Sequence, residues 1–239
     1  MDNSIYTTLN RQSGLMAEMR SVANNIANIS TTGFRREGVI FAEHVADLGG
    51  AEPSLSMASA EGRSITLTQG TLVQTGGSFD LAIEGEGFFM VQTPEGQRLT
   101  RAGAFTPSEQ GILVTADGMP VLDPGGAPVF VPTDAGPVAI ARDGTISVEG
   151  NPVGEIGVFV PRDPNDLVHA EGTRFAAAGG VEPFEEPAIF QGFLENSNVN
   201  AVAEIARMIE VQRAYEMGQG FLDAEDQRIR AVIQSLGKS

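Results

Sequence analysis

The stretch MIEVQRAYEMGQGFLDAEDQRIRAVIQSL, residues 208–236, decides the fold at the C-terminal end of the chain. It contains no proline, and its apolar residues recur at alternating steps of three and four, the period of one helix face. Seven of the nine positions in this register are apolar, and the pattern predicts a helix of about 35 residues, on the order of 50 Å long. We call these positions the C-terminal row: Met208, Val211, Tyr215, Gly218, Leu222, Glu225, Ile229, Val232 and Leu236.

A similar pattern occupies the other end of the chain, from residue 5 to residue 29. A second apolar set, Leu15, Val22 and Ile29, recurs every seven residues beside the main one, so the apolar face is wider than one partner helix covers. We therefore predict that the two terminal helices pair as a coiled coil and also contact further helices. The main set, which we call the N-terminal row, consists of Leu9, Gln12, Met16, Met19, Ala23 and Ile26.

The middle of the chain cannot form long helices, because all 13 prolines lie between Pro53 and Pro187. Short β-type runs at residues 78–83, 87–92 and 111–115 alternate with turn sequences, which predicts an all-β domain, a sandwich or an irregular barrel. We expect an α+β fold with an N-terminal helix in residues 1–34, an extended linker in 35–65, a β domain in 66–192 and a C-terminal helix in 193–239. Asn198 or Asn200 is expected to cap that last helix.

The formal charge of −16 is concentrated in the predicted β domain and linker. Residues 1–40 carry net +1 and residues 196–239 net −1, so residues 41–195 carry all of the imbalance. An acidic body repels phosphate, so we expect neither nucleic-acid binding nor attraction to an anionic membrane. No run of about 18 apolar residues is present, which predicts no direct membrane insertion. The absence of cysteine leaves the redox compartment open.

The sequence offers little material for catalysis or for cofactor binding. His44 and His169 stand far apart without a further histidine or cysteine at ligand spacing, and Lys238 is the only lysine. The acidic residues around Pro164 do not match a calcium-binding loop. We therefore predict no catalytic residue, no cofactor and no metal. Carboxylates are numerous, however, so a secreted acidic β-domain enzyme such as a glycosidase stays an alternative.

Three stretches, in order along the chain, resemble the motifs of the bacterial flagellar rod and hook proteins. They are ANNIANISTTGFRR at residues 23–36, DLAIEGEGFF with LTRAGAF at residues 80–89 and 99–105, and LENSNVN with MIEVQRAYE at residues 194–200 and 208–216. The opening Met1-Asp2 with Ile5-Tyr6, together with the short length, resembles the proximal-rod branch of this family. The elements NIAN and TTGF are closer to the distal-rod branch, which stays the alternative.

The resemblance implies a structural, non-enzymatic subunit of the periplasm-spanning rod in the flagellar basal body. Such a subunit polymerises helically with copies of itself and with other rod proteins, and it transmits torque from the motor to the hook. It also implies export through the flagellar type III apparatus, and the first residues indeed lack the basic and apolar segments of a cleavable signal peptide.

The expected assembly interface combines the two apolar rows with the first motif. Amide side chains in that motif can bond backbone groups or neighbouring subunits, the glycine permits a turn, and the phenylalanine can anchor the exit from the helix. The expected interface residues are Leu9, Met16, Met19, Ala23, Asn24, Asn25, Ile26, Asn28, Gly33, Phe34, Met208, Val211, Tyr215, Leu222, Ile229, Val232 and Leu236.

The same patterns predict that the free subunit holds its terminal helices weakly. Burial of seven apolar side chains does not outweigh the backbone entropy that is lost when about 35 residues become ordered. We therefore expect both termini to be largely disordered in the monomer and to become helical on assembly.

Overall fold

The structure, a computed structural model, describes residues 2–46, 55–132 and 136–236. It has one long helix at each end and a strand-rich centre, the α+β arrangement expected from the sequence: α1 is Asp2–Ala27 and α2 is Ala201–Leu236. Lys238 and the side chain of His44 lie outside the described part. Within that part, no helix is both long and apolar enough to cross a membrane.

The chain divides into two compact units. The first unit comprises the described residues of 2–27, 37–64 and 200–236, and the second comprises residues 28–36 and those described in 65–199. These limits differ from the expected ones, because the segments 28–36 and 193–199 belong with the β domain and not with the terminal helices.

The first unit consists of the two helices and a two-stranded sheet formed by β1 (Glu37–Ala46) and β2 (Leu55–Ile65). Glu18 contacts Arg207 and Gln12 contacts Tyr215, so α1 and α2 run antiparallel. The two strands occupy the segment that we expected to be an extended linker. Most residues of the segment are small or polar, so its strands depend on backbone pairing, which side-chain patterns reveal poorly.

The ends of the helices follow from local hydrogen bonding. After α1 ends at Ala27, the backbone N–H of Thr31 donates to the carbonyl of Asn28 (3.2 Å), and Gly33 has a left-handed φ of +71°. Before α2, Asn200 Oδ1 accepts a hydrogen bond from the N–H of Ala203 (3.1 Å), so Asn200 is the N-cap. Of the two predicted caps, Asn200 is therefore confirmed.

The second unit is built of short strands. The central six-stranded sheet has the order β13-β14-β6-β5-β12-β15, and its neighbouring strands pair antiparallel. The remaining strands form the sheets β11-β10-β9, β16-β4, β17-β3 and β7-β8. The bounds are β3 (Leu72–Gln74), β4 (Leu81–Ile83), β5 (Phe88–Thr93), β6 (Gly96–Thr100), β7 (Phe105–Pro107), β8 (Leu113–Thr115), β9 (Val138–Ile140), β10 (Thr145–Val148), β11 (Asn151–Glu155), β12 (Val158–Pro161), β13 (Leu167–His169), β14 (Arg174–Ala177), β15 (Val181–Pro183), β16 (Ile189–Gln191) and β17 (Phe193–Glu195).

Strand β5 separates the two hydrophobic clusters of this unit. Phe89 and Val91 belong to one cluster, and Phe88 and Met90 belong to the other. Successive side chains of a strand point to opposite faces, so the central sheet is covered on both faces. The four consecutive apolar residues of β5 reflect this double burial.

Candidate assembly surfaces and a buried ionic cluster

Three charged side chains lie together in the interior of the second unit. Arg35, Arg101 and Glu195 are exposed by only 1%, 3% and 0% of their surface, and we call them the ionic cluster. Arg35 follows the first turn after α1, Arg101 follows β6, and Glu195 ends β17. Charged residues are almost never this buried unless they are paired, so the cluster marks a point where distant segments must meet.

Glu195 is the centre of the cluster. Its Oε1 accepts hydrogen bonds from Arg35 Nη1 at 2.6 Å and from the backbone N–H of Gly70 at 2.7 Å. Its Oε2 accepts one from Arg101 Nη1 at 3.0 Å. One carboxylate therefore connects the residues after α1, the segment between β2 and β3, and the residues after β6.

The arginines also bind backbone carbonyls. Arg101 donates to the carbonyl oxygens of Ile83 (3.1 Å) and Gly85 (2.5 Å), and Arg35 donates to that of Thr68 (3.0 Å). The pKa of Arg101 is lowered to about 10, mainly because the guanidinium is buried; Glu195 opposes this decrease and the neighbouring Arg35 adds to it. Arg101 thus stays charged at neutral pH, and the cluster buries two positive charges and one negative charge.

Gly33 shows why the turn before the cluster requires a glycine. Its φ is +71°, and a Cβ added there would lie 2.2 Å from the backbone nitrogen of Ala102. Its N–H donates to the carbonyl of Glu195 at 2.8 Å. The adjacent Phe34 is 1% exposed, and its ring centroid lies 5.4 Å from that of His169. The turn and the anchoring residue predicted from the first motif are thus packed inside the second unit.

Asn198 connects the same region through its amide. Its Oδ1 accepts a hydrogen bond from the backbone N–H of Arg36 (2.7 Å), and its Nδ2 donates to the carbonyls of Thr66 and Thr68, both at 2.8 Å. Residues of all three family-like stretches therefore meet in one place, with Gly33 and Arg35 from the first, Arg101 from the second, and Glu195 and Asn198 from the third.

In the first unit, Asn25 joins three elements. It is 0% exposed; its Nδ2 donates to the carbonyl of Glu37 on β1 (2.8 Å), and its Oδ1 accepts from the Glu37 N–H (2.9 Å). The same amide donates to Glu204 Oε2 on α2 at 3.1 Å. Asn25 therefore fixes the position of α1 relative to both the sheet and the second helix.

Two further polar contacts connect the helices. Gln12 Nε2 donates to the carbonyl of Tyr215 (2.9 Å), and Arg207 Nε donates to Glu18 Oε1 (2.6 Å). The hydrogen bond to Glu18 raises the pKa of Arg207 above its ordinary value. Val211, which lies between Arg207 and Tyr215 on α2, and Val22, one turn after Glu18 on α1, are buried. The helix pair therefore combines polar bonds with a narrow apolar contact.

Comparison with known protein families finds the same three regions. Residues 5–35 match the model described as flagella basal body rod protein, residues 82–148 match the flagellar hook protein FlgE/F/G D1 domain, and residues 191–235 match the flagellar basal body rod FlgEFG protein C-terminal model. The matches lie in the expected order along the chain.

Full-length relatives agree with these matches. The flagellar basal-body rod protein FlgF of Caulobacter vibrioides is 40% identical, and the alignment covers 100% of this chain and 99% of the relative. The chain belongs to the flagellar basal-body rod family. FlgF of Mesorhizobium japonicum is 35% identical over 99% of both chains, and the rod protein FlgG of Bacillus subtilis is 30% identical over 98% of both.

In this rod-family chain, the C-terminal row divides into two parts. From Met208 to Glu225 its side chains are buried or half-buried. Beyond that point the row continues, but Ile229, Val232 and Leu236 are 42%, 53% and 70% exposed. Ten residues separate Gln12 from Asp2, where α1 begins, so α1 extends only to about the level of Glu225. The last part of the row therefore has no described α1 residues packed against it.

The members of the N-terminal row differ in how far they are buried. Met16, Met19 and Ile26 are half-buried, whereas Leu9 and Ala23 are exposed. Gln12, the polar member of the row, is buried against α2. Val22, from the neighbouring apolar set, is more buried than any apolar member of the row. The face turned toward α2 therefore lies beside the predicted row and does not coincide with it.

Four of the expected interface residues are buried within the single chain: Asn25, Gly33, Phe34 and Val211. Their side chains therefore pack inside the subunit itself. Asn24 donates to Glu37 Oε2 (3.4 Å), and Asn28 Oδ1 accepts from Thr31 Oγ1 (3.0 Å), so both amides also make bonds within the chain. Sequence reasoning missed the ionic cluster, although each of its charged residues stands in a stretch that resembles the family. Among the described residues, no group of acidic and histidine side chains is placed to hold a metal ion.

Proposed function

We propose that the chain is a structural subunit of the flagellar basal-body rod, located in its proximal part. It polymerises helically with other axial proteins and transmits torque from the motor to the hook. Relatives named FlgF, at 40% and 35% identity over essentially the whole chain, support the proximal reading. The distal alternative rests on relatives named FlgG, of which the Bacillus subtilis protein is 30% identical.

The exposed apolar end of α2 is the observation that carries this proposal. Ile229, Val232, Ile233 and Leu236 are all more than two-fifths exposed, and they share one helix face. A monomeric protein gains nothing from such a contiguous apolar face, whereas a subunit of a polymer covers it with its neighbours. In this arrangement the helices α1 and α2 form the inner coiled coil of the rod.

The contacts that build a rod must not close into a ring. Contacts between two different surfaces of the same kind of subunit generate a filament when their rotation does not close. We propose that the uncovered positions of the two rows form such surfaces: Leu9 and Ala23 on α1, and Ile229, Val232 and Leu236 on α2. The near-neutral charge of both terminal segments, +1 and −1, permits close packing in a crowded interior.

Export through the flagellar type III apparatus belongs to the same proposal. A narrow export channel requires an extended chain. Among the side chains of residues 7–27 and 201–236, the buried apolar ones are Val22 and Val211, so the helix pair opens at low cost in free energy. The subunit then gains its helical order from the neighbours that it meets in the periplasm-spanning rod.

The test replaces Ile229 by aspartate in the full-length chain and measures the amount of the subunit in purified basal bodies. A carboxylate buried without a partner is costly, so incorporation should decrease by more than about tenfold, since each 1.4 kcal/mol corresponds to a factor of ten. Swimming motility should be lost in parallel.

The matched control is Gln227→Asp. Gln227 is also exposed, lies on the same helix about 160° around its axis, and gains the same charge. Normal incorporation is expected for this variant. If Ile229→Asp entered the rod as well as Gln227→Asp did, the terminal helix would not be the assembly surface and the proposal would be wrong.

A further inference from the structure

An open groove lies between the two helices of the first unit. It is bordered by Arg11, Gln12 and Leu15 on α1 and by Met217, Gly218 and Phe221 on α2, and it has a cavity volume of about 330 Å³. We call it the interhelix groove. Met217 is 70% exposed and Phe221 is 42% exposed, so the apolar walls of the groove face solvent in the single chain.

The floor of the groove is shaped by a close helix contact. A Cβ added to Gly218 would lie 2.1 Å from Gln12 Nε2, so the glycine leaves room where a larger residue would fill the space. Gln12 Oε1 is buried and accepts no hydrogen bond from the described residues. A fitting occupant therefore combines apolar side chains with a hydrogen-bond donor.

The end of α2 has this chemistry. Beyond the level where α1 begins, residues 227–236 extend for about 15 Å, and we call them the α2 overhang. Its exposed residues Ile229, Val232, Ile233 and Leu236 stand at i, i+3, i+4 and i+7, the spacing with which an amphipathic helix enters a groove.

The charges of the overhang are compatible with the groove. Arg230 is beside the apolar face and supplies several N–H donors for Gln12 Oε1. Arg228 and Arg230 are paired with Glu225 and Asp226, at 2.7 and 2.8 Å, so they bring no net positive charge toward Arg11.

One chain cannot fill its own groove. Met217 and Val232 stand on the same helix, 15 residues apart in sequence, which corresponds to about 22 Å along its axis. The contact is therefore possible only between subunits, and it joins two different surfaces, as a non-closing assembly requires.

We propose that the interhelix groove receives the C-terminal end of an α2-type helix from an adjacent axial subunit, with the α2 overhang of this chain as the example of its chemistry. The C-terminal family model matches residues 191–235 and is shared by FlgE, FlgF and FlgG, so the neighbouring rod-family proteins carry the same segment. This inference rests on the proposed rod function. It adds that the interhelix groove of one subunit contacts the C-terminal end of α2 of the next.

The experiment places a photo-crosslinking amino acid at Met217 of the full-length chain, in cells that assemble flagella. Basal bodies are purified, irradiated and digested, and the captured peptide is identified by mass spectrometry. The expected adduct lies in the C-terminal helix of an axial subunit. A second variant carries the same probe at Phe221, which also lines the groove. The contact can therefore still be tested if one of the two variants does not assemble.

Two matched variants sharpen the result. A probe at Gln219, on the opposite face of α2, should not capture that peptide. A probe at Val232 should give the reciprocal adduct, on the groove residues of α1 or α2 of a neighbour. Adducts from Met217 and Phe221 on a β domain or on a non-axial protein would overturn the inference, and so would their absence in variants that are present in the basal body. Failure of the Gln219 variant to enter basal bodies would instead contradict the rod function.

Discussion

Glu195 is the residue on which the interior of the second unit depends most. It neutralises one of two buried guanidinium groups and bonds to both. We expect Glu195→Gln, which keeps the shape but removes the charge, to lower the free energy of unfolding by roughly 3–5 kcal/mol, because two buried cations lose their partner. Urea denaturation of the full-length chain measures the change.

The control for this prediction is Glu182→Gln. Glu182 also bonds an arginine, Arg162 at 3.0 Å, but both side chains are about 60% exposed. An exposed ion pair contributes at most about 1 kcal/mol, so this variant should unfold almost like the natural chain. If both variants lost the same free energy of unfolding, burial would not be the reason why Glu195 contributes to stability.

Gly33 supports a second prediction at the residue scale, with Gly76 as the comparison. Both have left-handed φ values, +71° and +77°, but a Cβ on Gly33 would lie 2.2 Å from backbone whereas one on Gly76 would meet nothing within 4 Å. Gly76→Ala should therefore cost only the backbone strain, about 1–2 kcal/mol.

Gly33→Ala should cost that strain and a further 1–3 kcal/mol or so from overpacking. Thermal unfolding of the two variants, under the same conditions, measures the difference. If both variants lost the same stability, the close approach of Ala102 would contribute nothing to the need for glycine at this turn.

Residue types alone predicted some of these local features. A glycine after Thr31 and Thr32 predicted a turn, and the turn is present. The ionic cluster could not be predicted in the same way, because Arg35, Arg101 and Glu195 are separated by 66 and 94 residues. Only the folded chain shows which of its many charged residues meet.

At the scale of elements, helix periodicity was informative where a partner helix is present. The C-terminal row predicted the buried side of α2 up to Glu225. The same period continued to Leu236, but burial did not, because it depends on the length of α1. Apolar periodicity thus indicates which face of a helix can be buried. The structure shows which part of that face α1 buries within one chain.

The N-terminal helix and the two-stranded sheet show the opposite case. Residues of α1 contact both α2 and β1, so its buried positions include polar Gln12 and Asn25, and Gly14 stands close to Phe41. A single apolar row cannot describe a helix with two partners. The strands β1 and β2 were missed because their stability comes from backbone pairing and from these contacts with the helix.

At the scale of the whole molecule, the two units differ in how much apolar surface they bury. Among the side chains that the structure describes, which leaves out residues 2–6 and 42–61, the buried apolar ones of the first unit are Val22 and Val211, whereas the second unit has two clusters of them. Because local stability follows buried apolar contacts, the units should unfold at very different free energies.

We therefore predict that the isolated full-length subunit in dilute solution exchanges the backbone amide protons of residues 200–235 rapidly, while those of β5 and β6 stay protected. Hydrogen exchange followed by mass spectrometry measures both in one sample, so the β domain is the internal control. Ordering the backbone costs about 1–2 kcal/mol of free energy per residue. This cost exceeds the free energy that the helix pair gains from the apolar side chains that it buries on its own. Exchange in α2 should slow markedly in assembled rods, where neighbours cover the α2 overhang. Strong protection of residues 200–235 in the dilute monomer would contradict the prediction and would mean that the helices are already stable before assembly.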